Sequence, residues 1–206
     1  PDEAGLPPEK QPSQKRVWVL ASAEIIDPET AKFSPTLNKT ENEAAVTIGL
    51  RQYRADLRGE VETGGGFLEK LTFRAGYADY QHTEFEGADV GTIFKSQGFE
   101  GRAEAAQANR NGWRGASGIQ YMSRDFEAIG AEAFVPPNRT RQLGLFTLQE
   151  FDLGGVHLEA ALRYDRVSQE AQTLGIKRNF NTMSAAFGAA YLFGDLKVGI
   201  NASRTG

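Results

Sequence analysis

The chain contains no cysteine, and only two histidines, two methionines and two tryptophans. The lack of cysteine excludes a disulfide framework and any thiolate metal site, and it suits cytosol, periplasm and outer membrane alike. A charge excess is also missing: 23 basic residues against 27 acidic leave a formal net charge of -4. That balance provides no basic footprint for nucleic acid and no polybasic patch for an anionic membrane surface, so no nucleic-acid partner is expected. No stretch approaches the run of about 18 apolar residues that a spanning helix requires, because Arg, Glu or Gly interrupts the longest apolar windows. A mean hydropathy of -0.45 still leaves a membrane β-barrel open, since only every second residue of its strands faces lipid. The sequence has neither an initiating Met nor a signal peptide. It opens in Pro1-Asp2-Glu3 and stops at Ser203-Arg204-Thr205-Gly206 within what reads as a strand, so the expectation is a piece of something larger.

What is present is alternation. Tyr53, Ala55, Leu57, Gly59 and Val61 fall on one face, and Arg54, Asp56, Arg58 and Glu60 on the other, the period of two of a strand. After the glycine turn at 64–66, Leu71, Phe73, Ala75 and Tyr77 alternate with Lys70, Thr72, Arg74 and Gly76, completing a hairpin. A second unit sets Phe99, Gly101, Ala103 and Ala105 against Glu100, Arg102 and Glu104, turns at Asn111-Gly112, and continues from Trp113 to Ser123. A third pairs Arg141 to Phe151 with Val156 to Asp165, and a fourth pairs Phe180 to Leu192 with Leu196 to Ser203. The expected fold is all-β, an antiparallel up-and-down barrel wall of about eight strands.

The connections alternate between tight turns near residues 64, 110, 153 and 194 and longer polar loops near 82–92, 125–139 and 166–179. Transmembrane barrels show this asymmetry, with short periplasmic turns and long extracellular loops. The alternating segments are long, about 12–15 residues where about 9–11 cross the hydrocarbon, and a propeller blade would fold four short strands into the same interval. Residues 1–42 carry prolines at 1, 7, 8, 12, 28 and 35 and no long alternation; they read as an extracellular loop segment preceding a partial barrel over 43–206. Their one apolar patch, Val17-Trp18-Val19-Leu20, is either a ligand-contacting element of that loop or a short strand extending the wall.

A soluble β-sandwich would also alternate, so the two faces must be read for composition. The polar face places charges of both signs close together: Arg54, Asp56, Arg58, Glu60, Glu100, Arg102, Glu104, His157, Glu159, Arg163 and Asp165. Such a face suits a polar lumen. Phe67, Trp113, Phe151 and Phe193 sit close to the short turns, where a membrane barrel carries an interfacial girdle; the alternative is ordinary core aromatics at strand ends.

The stretch from Tyr77-Ala78-Asp79-Tyr80-Gln81-His82-Thr83-Glu84-Phe85-Glu86-Gly87 through Gly98-Phe99-Glu100-Gly101-Arg102 resembles the barrel of TonB-dependent outer-membrane receptors, nearest their zinc-uptake branch. Tyr53 to Glu60, Phe134-Val135-Pro136-Pro137-Asn138, Gln142 to Phe146 and Leu162-Arg163-Tyr164-Asp165 support it, and the likeness covers about residues 44–206. It implies a 22-stranded barrel, with outer-membrane lipid around it, a plug domain of the same full-length protein inside it, and a TonB complex engaged through a region that these residues do not include. The resemblance departs in one respect: that branch has a His-rich long loop, and residues 1–42 hold no histidine.

His82, Glu84 and Glu86 lie at i, i+2 and i+4 with Asp89 nearby, a donor set that suits zinc but equally a polar strand end entering a loop. His157 reads as a structural hydrogen-bonding group. No Ser-His-Asp arrangement accompanies either histidine, and Gly64-Gly65-Gly66 lacks the Lys-Ser/Thr of a phosphate loop, so an enzyme is not expected. No cofactor is expected either; zinc or an iron chelate would be cargo. The functional expectation is energy-coupled uptake of a scarce ligand. The rivals are a small plug-free barrel acting as a pore or adhesin and, further off, a soluble β-sandwich binding module.

Overall fold

Alternation along the chain becomes a single antiparallel sheet in the computed structural model, which describes residues 17–26, 32–33, 46–130 and 133–206. The strands are β1 (Val17–Ile26), β2 (Lys32–Phe33), β3 (Val46–Glu62), β4 (Leu68–Glu86), β5 (Asp89–Arg110), β6 (Trp113–Gly130), β7 (Asn138–Asp152), β8 (Val156–Ala171), β9 (Ile176–Phe193) and β10 (Leu196–Arg204). Their order in the sheet is β1-β3-β4-β5-β6-β7-β8-β9-β10, with β2 paired to β3. From β3 onward every strand pairs with its neighbours in sequence, the up-and-down meander expected for a barrel wall. No α-helix occurs among the described residues.

The eight strands expected from the sequence are β3 to β10; β1 and β2 are additional. Val17 pairs with Val61 and Ile26 with Gln52 in an uninterrupted antiparallel ladder. Of the two readings open for the apolar patch at 17–20, the strand is the one observed, so the assignment of residues 1–42 to a loop is corrected for Val17–Ile26. Alternation there is masked because Val19, Leu20 and Ala21 are consecutive apolar residues. The rest of 1–42, apart from β2, lies outside the described residues.

A second correction concerns the three long polar loops. β4 continues to Glu86 and β5 begins at Asp89, leaving a two-residue turn; β6 continues to Gly130 and β7 begins at Asn138. β8 runs to Ala171 and is followed by a single 3-10 turn, Gln172–Leu174, before β9. Strands β3 to β9 are therefore 15–22 residues long. The physical reason is that alternation reports two different environments, not hydrogen bonding. Where a strand rises past the lipid both its faces meet water, the period of two disappears, and the backbone ladder continues regardless.

Among the described residues no second layer covers this sheet. Among the described residues no hydrophobic side chain is buried, while Ile119, Leu145, Leu162, Phe187 and Met183 are all exposed. A β-sandwich holds its inner faces together through an interdigitated core about 10 Å thick, so the soluble sandwich alternative is excluded. The sheet is an open portion of barrel wall.

Candidate functional site

The apolar face is organised in levels. On β3, β6, β7, β8 and β9 it runs from Val61 to Tyr53, Trp113 to Tyr121, Phe151 to Leu143, Val156 to Tyr164 and Tyr191 to Met183, nine residues in each case. The next residue on that face is polar every time: Arg51, Ser123, Arg141, Arg166 and Asn181. Eight steps cover about 26 Å along a strand; a tilt of about 40° reduces this to about 20 Å, close to the ~25 Å apolar band of outer-membrane barrels.

Aromatics mark both limits of the band. At the end bearing the short turns, Trp113 stacks on Phe151 with ring centroids 6.0 Å apart and meets Phe67 edge-on at 5.8 Å. Phe193 packs against Tyr191 at 4.3 Å. The four aromatics singled out in the sequence thus fall into two clusters on either side of β8, and Tyr191 joins the second. At the far end the hydroxyl of Tyr77 accepts from Gln97 at 2.6 Å and that of Tyr164 donates to Asn181 at 3.0 Å. Their rings lie on the apolar side and their polar tips reach the polar level, the amphipathic placement that makes tyrosine an interfacial residue. Within the band, Ser117, Thr147, Gln149 and the Trp113 indole N–H form one hydrogen-bonded chain of 2.8–2.9 Å contacts, so these polar groups satisfy one another as lipid requires.

The opposite face carries the charges, and the register puts them in rows. Arg58, Arg74 and Arg102 lie directly opposite one another across β3, β4 and β5. Like charges in that position repel, and the neighbouring rows compensate with Asp56 and Glu100 on one side and Glu60 and Glu104 on the other. Arg54 bonds Asp56 at 2.6 and 2.8 Å, Lys70 approaches Glu60 at 3.3 Å, and Arg102 bonds Glu104 at 2.8 Å. Gln120 donates to Glu100 at 2.8 Å. Farther along, Arg163 makes a two-pronged contact with Asp165 at 2.7 Å, and Gln142 donates to the same carboxylate at 3.0 Å. The Phe146 ring is shared by Arg102 at 4.1 Å and Arg163 at 5.9 Å and covers Gly118.

Phe146→Ala is expected to lower unfolding stability by about 1–2 kcal/mol, since two cation-π contacts and the cover over Gly118 are lost together. Phe146→Tyr, which keeps the ring, is expected to be near neutral. Urea titration of the folded full-length protein in detergent checks both.

Near the short turns, His157 bonds Glu159 at 2.9 Å and lies 4.0 Å from Glu150, which Arg114 also grips at 2.6 and 2.9 Å. Glu150, His157 and Glu159 are the one group among the described residues that brings three metal-capable ligand atoms together, within 4.8 Å. The Arg114 guanidinium already occupies the cation position on Glu150, so the cluster is an ion network. Glu150 escaped the sequence reading, although pairing outward from the turn at 153–155 sets it opposite Glu159.

His82, Glu84 and Glu86 do share a face of β4, and Asp89 pairs with Glu86 across the turn. Their ligand atoms are not gathered: His82 Nε2 and Glu84 Oε1 are 3.8 Å apart, and no third donor joins them. His82 instead stacks on Phe94 at 4.5 Å, with Tyr80 edge-on at 5.5 Å and Phe126 beyond Phe94 at 6.4 Å. Its Nδ1 is buried without a partner. These rings border an open concavity of 530 Å³ on the polar face, which Arg54, Glu100 and Arg124 also line. Tyr80, Phe94 and Phe126 were missed because each comes from a different strand; the available signal was an aromatic at a position whose parity is otherwise charged.

One antiparallel sheet with an apolar band between two aromatic levels on one face and a paired-charge wall on the other defines a transmembrane β-barrel. More particularly, the chain belongs to the TonB dependent receptor-like, β-barrel family, whose model matches residues 14–205. Among solved structures, the copper transporter OprC is similar in fold, with a TM-score of 0.54 and 15% sequence identity over 93% of this chain. The match spans 36% of that transporter's own length. No protein of curated function matches by sequence.

Proposed function

We propose that the chain is wall and rim of a TonB-dependent outer-membrane receptor that takes up a scarce metal ion or metal chelate. The end at which the aromatic level lies close to the turns at 111–112, 153–155 and 194–195 faces the periplasm, and the far end, where the strands run on past the apolar band, faces outward. The charged face lines a lumen closed by a plug domain, and a TonB complex supplies the energy that rearranges the plug. The observation that carries this reading is the concavity of 530 Å³ beside Tyr80, His82, Phe94 and Phe126. It lies on the polar face, toward the outer end, where an arriving ligand first meets the wall. A plug-free passive pore has no need of an aromatic, part-charged recess there, whereas a receptor that must hold a dilute ligand does.

Zinc is the cargo suggested by the sequence resemblance, and the fold likeness to a copper transporter adds copper to the metals worth offering. Iron chelates suit the size and aromatic lining of the recess. Uptake of zinc, copper and iron chelates is to be measured in cells making the full-length receptor, with and without functional TonB. One cargo is expected to enter saturably and only with TonB, and Tyr80→Ala with His82→Ala is expected to weaken its binding about tenfold, as loss of a stacking platform and a donor should. Passage that is unsaturable and indifferent to TonB would replace this reading with the pore.

A further inference from the structure

On the apolar face, one step beyond the outer aromatic level, Arg141 on β7 and Arg166 on β8 lie diagonally across the ladder: Arg141 is opposite Ser168, and Arg166 is opposite Leu143. Diagonal neighbours of this kind stand about 7–8 Å apart, a spacing that two long guanidinium side chains can close onto one anion. Both are exposed, and among the described residues neither has an ion pair. Of the other outward basic residues at this end, Arg139 is held by Asp125 at 2.5 Å, Lys95 lies 3.8 Å from Glu127, Arg51 donates to Gln81 at 3.2 Å, and Lys177 stands opposite Glu170; only Arg141 and Arg166 stand as a pair.

The surroundings of the pair are consistent in chemistry. Ser123 is opposite Arg141 on β6, and Asn181 is opposite Arg166 on β9. Asn181 accepts the Tyr164 hydroxyl through Oδ1, so its amide N–H groups remain available. The acidic groups nearest Arg141 are Asp125, already held by Arg139, and Glu170, which lies one row farther out opposite Arg139 and Lys177. Directly below come Leu143, Tyr121, Tyr164 and Met183, exposed and apolar. Two free guanidiniums with hydroxyl and amide donors therefore sit immediately above a surface fit for acyl chains, on the side of the wall that no part of the lumen can reach.

We infer that Arg141 and Arg166 form a binding site for the phosphate of a phosphorylated, multiply acylated glycolipid of the outer leaflet. The paired guanidiniums take the phosphate oxygens in charge-assisted, two-pronged hydrogen bonds, and the acyl chains descend along the apolar band. A free phosphate would gain the first contact without the second, so the lipid is the occupant that satisfies both. The site anchors the barrel wall at a fixed depth and is separate from ligand uptake.

The inference rests on the membrane orientation proposed above, and the test separates the two. Full-length receptor in detergent is offered a purified phosphorylated glycolipid and the same lipid after enzymatic removal of its phosphates, and retained lipid is counted by native mass spectrometry. The unaltered protein is expected to retain the phosphorylated form about tenfold more, by virtue of the charge-assisted contacts. Arg141→Gln with Arg166→Gln should erase that preference, while Lys177→Gln, an outward cation farther from the band, should leave it intact. Millimolar inorganic phosphate should not displace the lipid. Equal retention of the two lipids by the unaltered protein overturns the site without any variant having to fold, as does a preference that survives in the double variant. Failure of the protein to show the heat-modifiable mobility of a barrel would instead strike the membrane reading itself.

Discussion

Ile119→Arg is expected to lower markedly the fraction of full-length protein that reaches its folded form in a bilayer, whereas Gln120→Arg, one residue away, is expected to be tolerated. Ile119 lies on the apolar face with Ala103 and Leu145 directly opposite it, so no acidic or carbonyl partner is at hand for a guanidinium. An arginine placed toward the middle of the lipid-facing surface costs about 2–4 kcal/mol, a large fraction of the 5–15 kcal/mol that keeps an ordinary domain folded. Gln120 faces the other way and donates to Glu100 at 2.8 Å. Arginine there retains a donor for that carboxylate and adds a charge beside Arg102, a repulsion of a few tenths of a kcal/mol on an exposed strand pair. Folding into lipid vesicles, followed by the mobility shift between unheated and boiled samples, reads both variants. Equal tolerance of the two, or greater damage from Gln120→Arg, would reverse the assignment of the faces.

The same distinction between faces explains what the sequence revealed. Strands β3 to β10 were legible because, between the aromatic levels, lipid and a polar interior impose opposite demands on successive residues, and Tyr53 to Val61 or Val156 to Tyr164 record both demands directly. The outer strand ends were not legible. At Gln81 to Glu86 or Arg166 to Ala171 both faces are wet, so a ladder of hydrogen bonds persists that composition does not reveal. β1 was half legible: the consecutive apolar residues from Val17 to Ala21 left a short strand and a loop contact both open, and the pairing that decides between them is visible only when β3 is placed beside them.

The candidate site divides in the same way. Pairs within one strand, such as Arg54 with Asp56, Arg102 with Glu104 and Arg163 with Asp165, follow from i, i+2 spacing alone. The recess around His82 does not, because Tyr80, Phe94 and Phe126 meet through a register that spans three strands and includes a bulge between Glu84 and Phe85. Charge signs could be read along the chain; the arginine row from Arg58 through Arg74 to Arg102 required knowing which residues stand opposite which.

Register also sets what a glycine in the tight turns is worth, and Gly112→Ala is expected to be the most damaging small substitution in the turns near residues 64, 110, 153 and 194. Asn111 and Gly112 both have positive φ, 54° and 86°, as a two-residue hairpin turn matching the twist of its strands requires. Asn109 supports the turn by accepting the Gly112 N–H at 3.0 Å. A left-handed conformation alone costs a side chain about 1–2 kcal/mol. At Gly112, however, an added Cβ would also stand 2.0 Å from the carbonyl oxygen of Asp152, the residue whose backbone N–H donates to the Gly112 oxygen at 2.8 Å. The β7 terminus must move to make room, and overpacking of this kind adds about 1–3 kcal/mol. Gly154 is the control: its φ is 75° and nothing lies within 4 Å of the position its Cβ would take, so Gly154→Ala should show the conformational cost alone. Asparagine separates the two contributions, because it tolerates the left-handed region but still carries a Cβ. Urea midpoints of the full-length protein should therefore show Gly154→Asn close to the unaltered chain and Gly112→Asn nearly as destabilised as Gly112→Ala. Recovery of stability in Gly112→Asn would mean that backbone conformation, and not the contact between neighbouring hairpins, is what this glycine serves.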